Sequence, residues 1–170
     1  MSGVRLGERA LQIGDADPAL VAQIAAKCGL TGTAAIVVRT DDRATRMQRA
    51  IADNGAVADV HVVPSGDLPF QEAAFDAIVV HDTSNTINAA EPDTRTRWLN
   101  ECRRVLRPGG RIIAIESGAT VGLRGFFSGG RKTDDSAAGS ITALQSVGFA
   151  NVRLLGDREG LRFIEGLKRN

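Results

Sequence analysis

Two adjacent residues, His81 and Asp82, follow the apolar run Asp76 to Val80 and form the best-placed titratable pair in the chain. An imidazole changes charge near neutral pH, so His81 just past the end of a strand has the chemistry of a general base; a hydrogen-bonded loop histidine explains the same residue without catalysis. Ser84 and Asn85 next to the pair can orient a polar substrate, but both types are common turn formers and the turn reading is the stronger one. His61 sits among valines in another strand, where alternation sets it on one face of a sheet in a structural role. No Ser-His-Asp or metal-ligand spacing stands out. Cys28 and Cys102 fall far apart on predicted helices without zinc or redox spacing, and read as reduced, semi-buried core residues.

The chain that must position these groups has 170 residues, 43% hydrophobic and 24% charged, which suits one domain over residues 1–170 with its own core. Lys and Arg number 21 against 20 Asp and Glu. A net charge of +1 gives no electrostatic reason to expect nucleic acid. No basic leader followed by an apolar core opens the sequence and no apolar run is long enough to span a bilayer, so a cytoplasmic location is expected. The segment Arg124 to Lys132 places Phe126 and Phe127 between glycines and cations, so the loop 122–132 is expected to act as a lid or to dock a protein partner; a membrane role is not expected.

Strands and helices alternate along the sequence. Arg9 to Ile13 is a strand entering Gly14-Asp15-Ala16-Asp17-Pro18, where Asp17 can cap a helix with Pro18 at its first position, running to about Cys28 with Gly29 as its end. Ala34 to Val38 reads as a buried strand, and Asp42 as the cap of a helix whose stripe is Ala44, Met47, Ala50 and Ile51. Asp59 to Val63 and Asp76 to Val80 are the next strands. Trp98, Leu99, Cys102, Val105 and Leu106 fall at helical spacing, leaving Arg95, Arg97, Arg103 and Arg104 on the wetter side, and Arg107-Pro108-Gly109-Gly110 stops that helix. Ile112 to Ile115 is a fifth strand. Ile141, Leu144, Gln145 and Val147 mark a last helix, before a hairpin of Val152 to Leu155 with Leu161 to Glu165. The alternation predicts an α/β domain, doubly wound and mostly parallel.

The segment Glu101 to Ile112, reading ECRRVLRPGGRI, resembles the helix, turn and fifth strand of class I S-adenosylmethionine-dependent methyltransferases. Leu68-Pro69-Phe70, Phe75-Asp76 and Gly148-Phe149 follow in the order that family uses, and the likeness runs from about Glu8 to Lys168. It implies a single Rossmann-like domain with a seven-stranded sheet ordered 3-2-1-4-5-7-6 and a terminal antiparallel hairpin.

The resemblance also implies where a cofactor sits, since ligands of open α/β sheets occupy the crevice at the carboxyl ends of the strands where strand order reverses. The family's G-x-G-x-G turn corresponds to Gly14, Asp15 and Ala16 with Pro18 in third place, and Gln12 stands where an acidic residue is frequent. The acidic residue that binds the ribose hydroxyls corresponds to Thr40, with Asp41 as the nearest carboxylate. Pro64 replaces the adenine-side residue, followed by Ser65-Gly66-Asp67, where Ser65 and Asp67 are the polar candidates. The end of the fourth strand, carrying His81 and Asp82, borders the transferred methyl group. Ala16, Thr40 and Pro64 each remove a usual contact, so weak or absent binding of S-adenosylmethionine is expected.

Three functions follow. The leading one is a small S-adenosylmethionine-dependent methyltransferase acting on a small-molecule substrate. The second is a degenerate methyltransferase-like binding or scaffold subunit, consistent with the altered anchors and with too few residues before Arg9 for the substrate-covering helices of many relatives. A nucleotide-dependent oxidoreductase ranks last because Gly14 to Pro18 also lacks its G-x-G-x-x-G turn.

Overall fold

The computed structural model describes residues 3–14, 17–64, 66–83, 90–118 and 135–169, with the side chains of 135–137 left aside. The elements are β1 (Arg9–Gly14), α1 (Pro18–Ala26), β2 (Thr33–Val38), α2 (Asp41–Asp53), β3 (Asp59–Val62), β4 (Phe75–Asp82), α3 (Pro92–Val105), β5 (Leu106–Ser117), α4 (Asp135–Ser146), β6 (Phe149–Arg158) and β7 (Leu161–Lys168). They build one seven-stranded sheet in the order β3-β2-β1-β4-β5-β7-β6. All pairings are parallel except those of β7, which runs antiparallel to both β5 and β6. The expected Rossmann-like architecture and strand order are both present.

Strand alternation divides the core into layers. Leu11, Ile13, Ile78 and Val80 pack with Trp98 and Leu99 of α3 and Leu144 of α4. Their sequence neighbours Ala10, Ala77 and Val79 face Ile24 and Ala25 of α1 instead, and Ala44, Met47 and Ile51 of α2 close the same side over β2. Burial on both faces explains why the central strands are continuous Ala, Ile and Val runs.

Asp17 caps α1, its carboxylate accepting from the Ala19 amide, and Pro18 occupies the first helical position. The helix is two residues shorter than its apolar pattern predicts: it stops at Ala26, and the residues to Gly29, at φ +66°, form a turn. The cap of α2 is Thr40 and not Asp42; the Thr40 hydroxyl accepts from the Arg43 amide, which leaves Asp41 and Asp42 in the first turn, where negative charge complements the helix dipole.

The segment Arg107 to Gly110 also differs from a simple helix stop. Leu106 is already extended and paired with Phe75, the chain then bulges out, and pairing resumes at Arg111 opposite Ala77. The bulge uses Gly109 at φ +72°. Lys168, the last residue of β7, donates from Nζ to the carbonyls of Leu106 (2.7 Å) and Arg104 (3.5 Å), tying the helix-strand junction to the neighbouring strand. At the amino ends of the strands Asp76 accepts from both Arg9 and Arg107; burial alone would raise its pKa, but those hydrogen bonds outweigh it and hold the carboxyl at about 2.

Candidate functional site at the carboxyl ends of β1 and β4

From β1 the chain winds outward through β2 and β3, then returns to the other side of β1 as β4, so strand order reverses between β1 and β4. That boundary is where open α/β sheets place ligands. Its last paired residues are Gly14 and His81. Gly14 has φ +108°, and a Cβ there would sit 2.2 Å from the His81 carbonyl oxygen, so this position admits only glycine without backbone movement.

His81 and Asp82 do not act as a pair. They lie within β4 and not after it, because the strand extends two residues beyond its apolar run, and consecutive strand residues point to opposite faces. His81 faces α1 with a residual exposure of 2%. Its Nε2 lies 3.1 Å from Gln12 Oε1, and Gln12 Nε2 donates to the Val21 carbonyl of α1 at 2.9 Å. The carbonyl can only accept, so the amide orientation is set; Gln12 Oε1 must then accept, and His81 carries its proton on Nε2. The Nδ1 atom is buried and has no hydrogen-bond partner among the described residues. Burial lowers the His81 pKa to about 4.

Asp82 lies on the other face, level with Glu116 of β5 in the strand register. Both carboxylates are buried, and with Arg95 of α3 and Ser140 of α4 they border a cavity of about 30 Å³. That volume suits water and not an organic substrate. Gln12 and Glu116 are the two site residues that sequence reasoning misses. The legible signal for each was a polar residue inside an apolar strand, which becomes meaningful once the neighbouring strand is known.

The remaining candidates occupy successive strand ends. β2 ends at the buried Val38, and Thr40, two residues on, spends its hydroxyl on the α2 cap beside the exposed Asp41. Asp67, in the loop after β3, is gripped by Arg97, whose Nη2 donates to Oδ2 at 2.7 Å and Oδ1 at 2.8 Å. The same loop is fixed by Glu101, which accepts from the Leu68 amide, and by Arg104, which donates to the carbonyls of Leu68 and Phe70. His61 makes an edge-to-face contact with Phe70 at 4.9 Å, which accounts for it structurally. Asp15, Ala16, Ser65, Ser84, Asn85 and the loop 122–132 lie outside the described residues.

Comparison with known proteins decides the family. A family profile described as a methyltransferase domain matches residues 18–114, more than half of the chain. The chain belongs to the methyltransferase-domain family. A ubiquinone/menaquinone biosynthesis C-methyltransferase, UbiE, of Vibrio campbellii is 28% identical over 117 residues, which are 68% of this chain and 43% of that protein. The chain thus spans less than half the length of the curated relatives it matches. Among solved structures, a SAM-dependent methyltransferase from Aquifex aeolicus superposes with TM-score 0.73 at 15% identity, covering 97% of this chain and 84% of the other. PigF with SAH superposes at 0.66 and 22% identity, over 95% and 50% of the two chains. These structural likenesses show the methyltransferase fold.

A cofactor of this family can be tested against the residues present. Gly14 packs against the His81 carbonyl with no room for a Cβ, and the buried Nδ1 of His81 has no hydrogen-bond partner among the described residues, which is compatible with a bound group that brings a hydrogen-bond donor. The β2 end offers no carboxylate of its own, and Asp41 is the nearest one. Among the described residues no three His, Cys, Asp or Glu gather as a metal site, and no helix is long and apolar enough to cross a membrane.

Proposed function

We propose that this chain is an S-adenosylmethionine-dependent methyltransferase domain acting on a small molecule. The observation that carries the reading is the Gly14–His81 closure at the strand-order reversal, in a chain of this family. In this reading the cofactor sits at the β1/β4 corner beside Gly14, with Asp41 as the carboxylate for its ribose. When bound, S-adenosylmethionine supplies an electrophilic methyl group. His81, neutral well below physiological pH, is a weak base and serves better as a fixed acceptor.

The role of the UbiE relatives in ubiquinone and menaquinone biosynthesis is compatible with a small-molecule acceptor. A cytoplasmic site of action belongs to the same proposal.

A second reading, a binding or scaffold subunit without chemistry, is favoured by one observation: β2 ends in Val38 and the next polar side chain, Thr40, is committed to a helix cap. In that reading the loop 122–132 docks a protein partner, and replacing Phe126 and Phe127 by serine weakens the association. Calorimetric titration with S-adenosylmethionine and S-adenosylhomocysteine separates the two. Saturable heat supports the enzyme, whereas no heat with either compound at millimolar concentration overturns it in favour of the scaffold.

A further inference from the structure

A cavity of about 260 Å³ lies between α1 and the β5–β7 pair. Its floor is the buried Ile24, Ile115 and Phe163, and the half-buried Leu20 and Leu161 form its walls. The exposed Lys27, Arg158 and Glu159 border its mouth. On the helix side, Leu20, Ile24 and Lys27 share one face by their spacing of four and then three residues. On the sheet side, the β6–β7 hairpin turns through Glu159 at φ +55° and Gly160 at φ +74°, which sets Arg158 opposite Leu161. The cavity beside Asp82 has about 30 Å³; this one approaches the roughly 300 Å³ at which small-molecule sites begin, and has room for an organic ligand.

Strand register ties the cavity to the β1/β4 corner. Gly14 pairs with His81, His81 with Ile115, and Ile115 with Phe163, so one row crosses β1, β4, β5 and β7 on the face that α1 covers. At about 4.8 Å per strand, Ile115 and Phe163 stand roughly 5 and 10 Å from His81. We infer that this cavity holds the acceptor of the proposed methyltransferase, and that the acceptor is an organic anion with an apolar body. The inference rests on the cofactor reading of the corner and deepens it by naming the substrate class. The apolar floor and walls take a body that gains by leaving water. Two cations against one carboxylate leave the mouth positive, and neither Lys27 nor Arg158 is held in an ion pair among the described residues, so both are available to an anionic group. Glu159 opposes that group and limits how tightly it is held.

Octanoate, octan-1-ol and octylammonium carry the same apolar body with negative, neutral and positive heads, and NMR of methyl-labelled protein reads where each one goes. Octanoate is expected to shift the Ile115 and Leu161 methyl signals saturably and to bind about tenfold more tightly than octylammonium. Lys27→Glu and Arg158→Glu should each weaken octanoate about threefold and Glu159→Gln should tighten it, with octan-1-ol unchanged in all three. These three side chains are exposed, so the variants keep the fold. Equal affinity for the three compounds, shifts confined to other methyl groups, or no shift at millimolar octanoate overturns the inference. The titration is then repeated with S-adenosylhomocysteine, whose own binding is read at the Gly14 amide. Simultaneous binding of both ligands supports the assignment. Displacement of octanoate by S-adenosylhomocysteine overturns it and leaves the cofactor reading standing. Octanoate binding with no amide responding to S-adenosylhomocysteine is a different result: the cofactor reading fails, and the acceptor role fails with it.

Discussion

Gly14 and His81, the last pair between the parallel strands β1 and β4, lie so close that residue 14 has no room for a Cβ, which would lie 2.2 Å from the His81 carbonyl oxygen. Gly14→Ala therefore meets two penalties, a backbone contact that cannot yield and a φ of +108° that an L side chain resists. We expect a loss of more than about 2 kcal/mol in urea unfolding, with S-adenosylhomocysteine binding abolished. A loss under about 0.5 kcal/mol would show that the two strand ends are not in contact.

The buried His81 makes stability pH-dependent with a definite sign. Its folded pKa, about 4, lies below the usual 6.5, so the unfolded chain binds a proton first as pH falls. The contribution is complete above pH 6.5 and is lost as pH falls toward 4, at about 1.4 kcal/mol per pH unit across that window. Urea midpoints of wild type and His81→Gln, compared between pH 7 and pH 4.5, should converge on acidification by this amount. A difference that stays constant with pH would show that His81 is not buried as a neutral group.

Thr40 offers a substitution that separates capping from ligand binding. Thr40→Asp keeps an N-cap oxygen and should leave stability within about 0.5 kcal/mol, whereas Thr40→Ala should cost about 1 kcal/mol. The added carboxylate beside Asp41 is expected to raise affinity for S-adenosylhomocysteine about tenfold if it reaches the ribose. Calorimetry on the two variants reads both effects, and unchanged affinity in Thr40→Asp would place the ribose elsewhere.

The loop after β3 is held by two arginines of unequal worth. Arg97 and Asp67 are both largely exposed, so Arg97→Ala should change stability by no more than about 0.5 kcal/mol despite its bidentate geometry. Arg104 serves Glu101 and two backbone carbonyls at once in a partly buried setting, and Arg104→Leu should cost about 2–3 kcal/mol and speed amide exchange at Leu68. Equal effects from the two substitutions would contradict this ranking.

Much of the fold was legible because each strand's own residues declare it: the β-branched runs and the Asp17-Pro18 helix start are local signals that the sheet leaves intact. The misread details are those settled between elements. Asp42 and Thr40 are both competent caps, and the choice went to Thr40 because β2 ends two residues earlier, at Val38. His81 and Asp82 look like a pair in sequence, but extension of β4 through both turns them to opposite faces. Gln12 reads as a lost acidic residue until β4 is laid beside β1 and His81 proves to be its partner. Arg107 to Gly110 reads as a turn until Leu106 is seen already paired with Phe75.

The two hydrogen bonds from Lys168 to Arg104 and Leu106 have a consequence for synthesis on the ribosome. The junction that resembles a family signature is closed by a residue translated about sixty positions later. Until β7 leaves the exit tunnel, β5 presents one unpaired flank of Ile112, Ile113, Ala114 and Ile115 in the growing polypeptide. Such a flank is a template for wrong partners. A nascent chain stalled before Leu161 would therefore expose this flank to chaperones, and pairing with residues 161–167 removes it, with Lys168 closing the junction last.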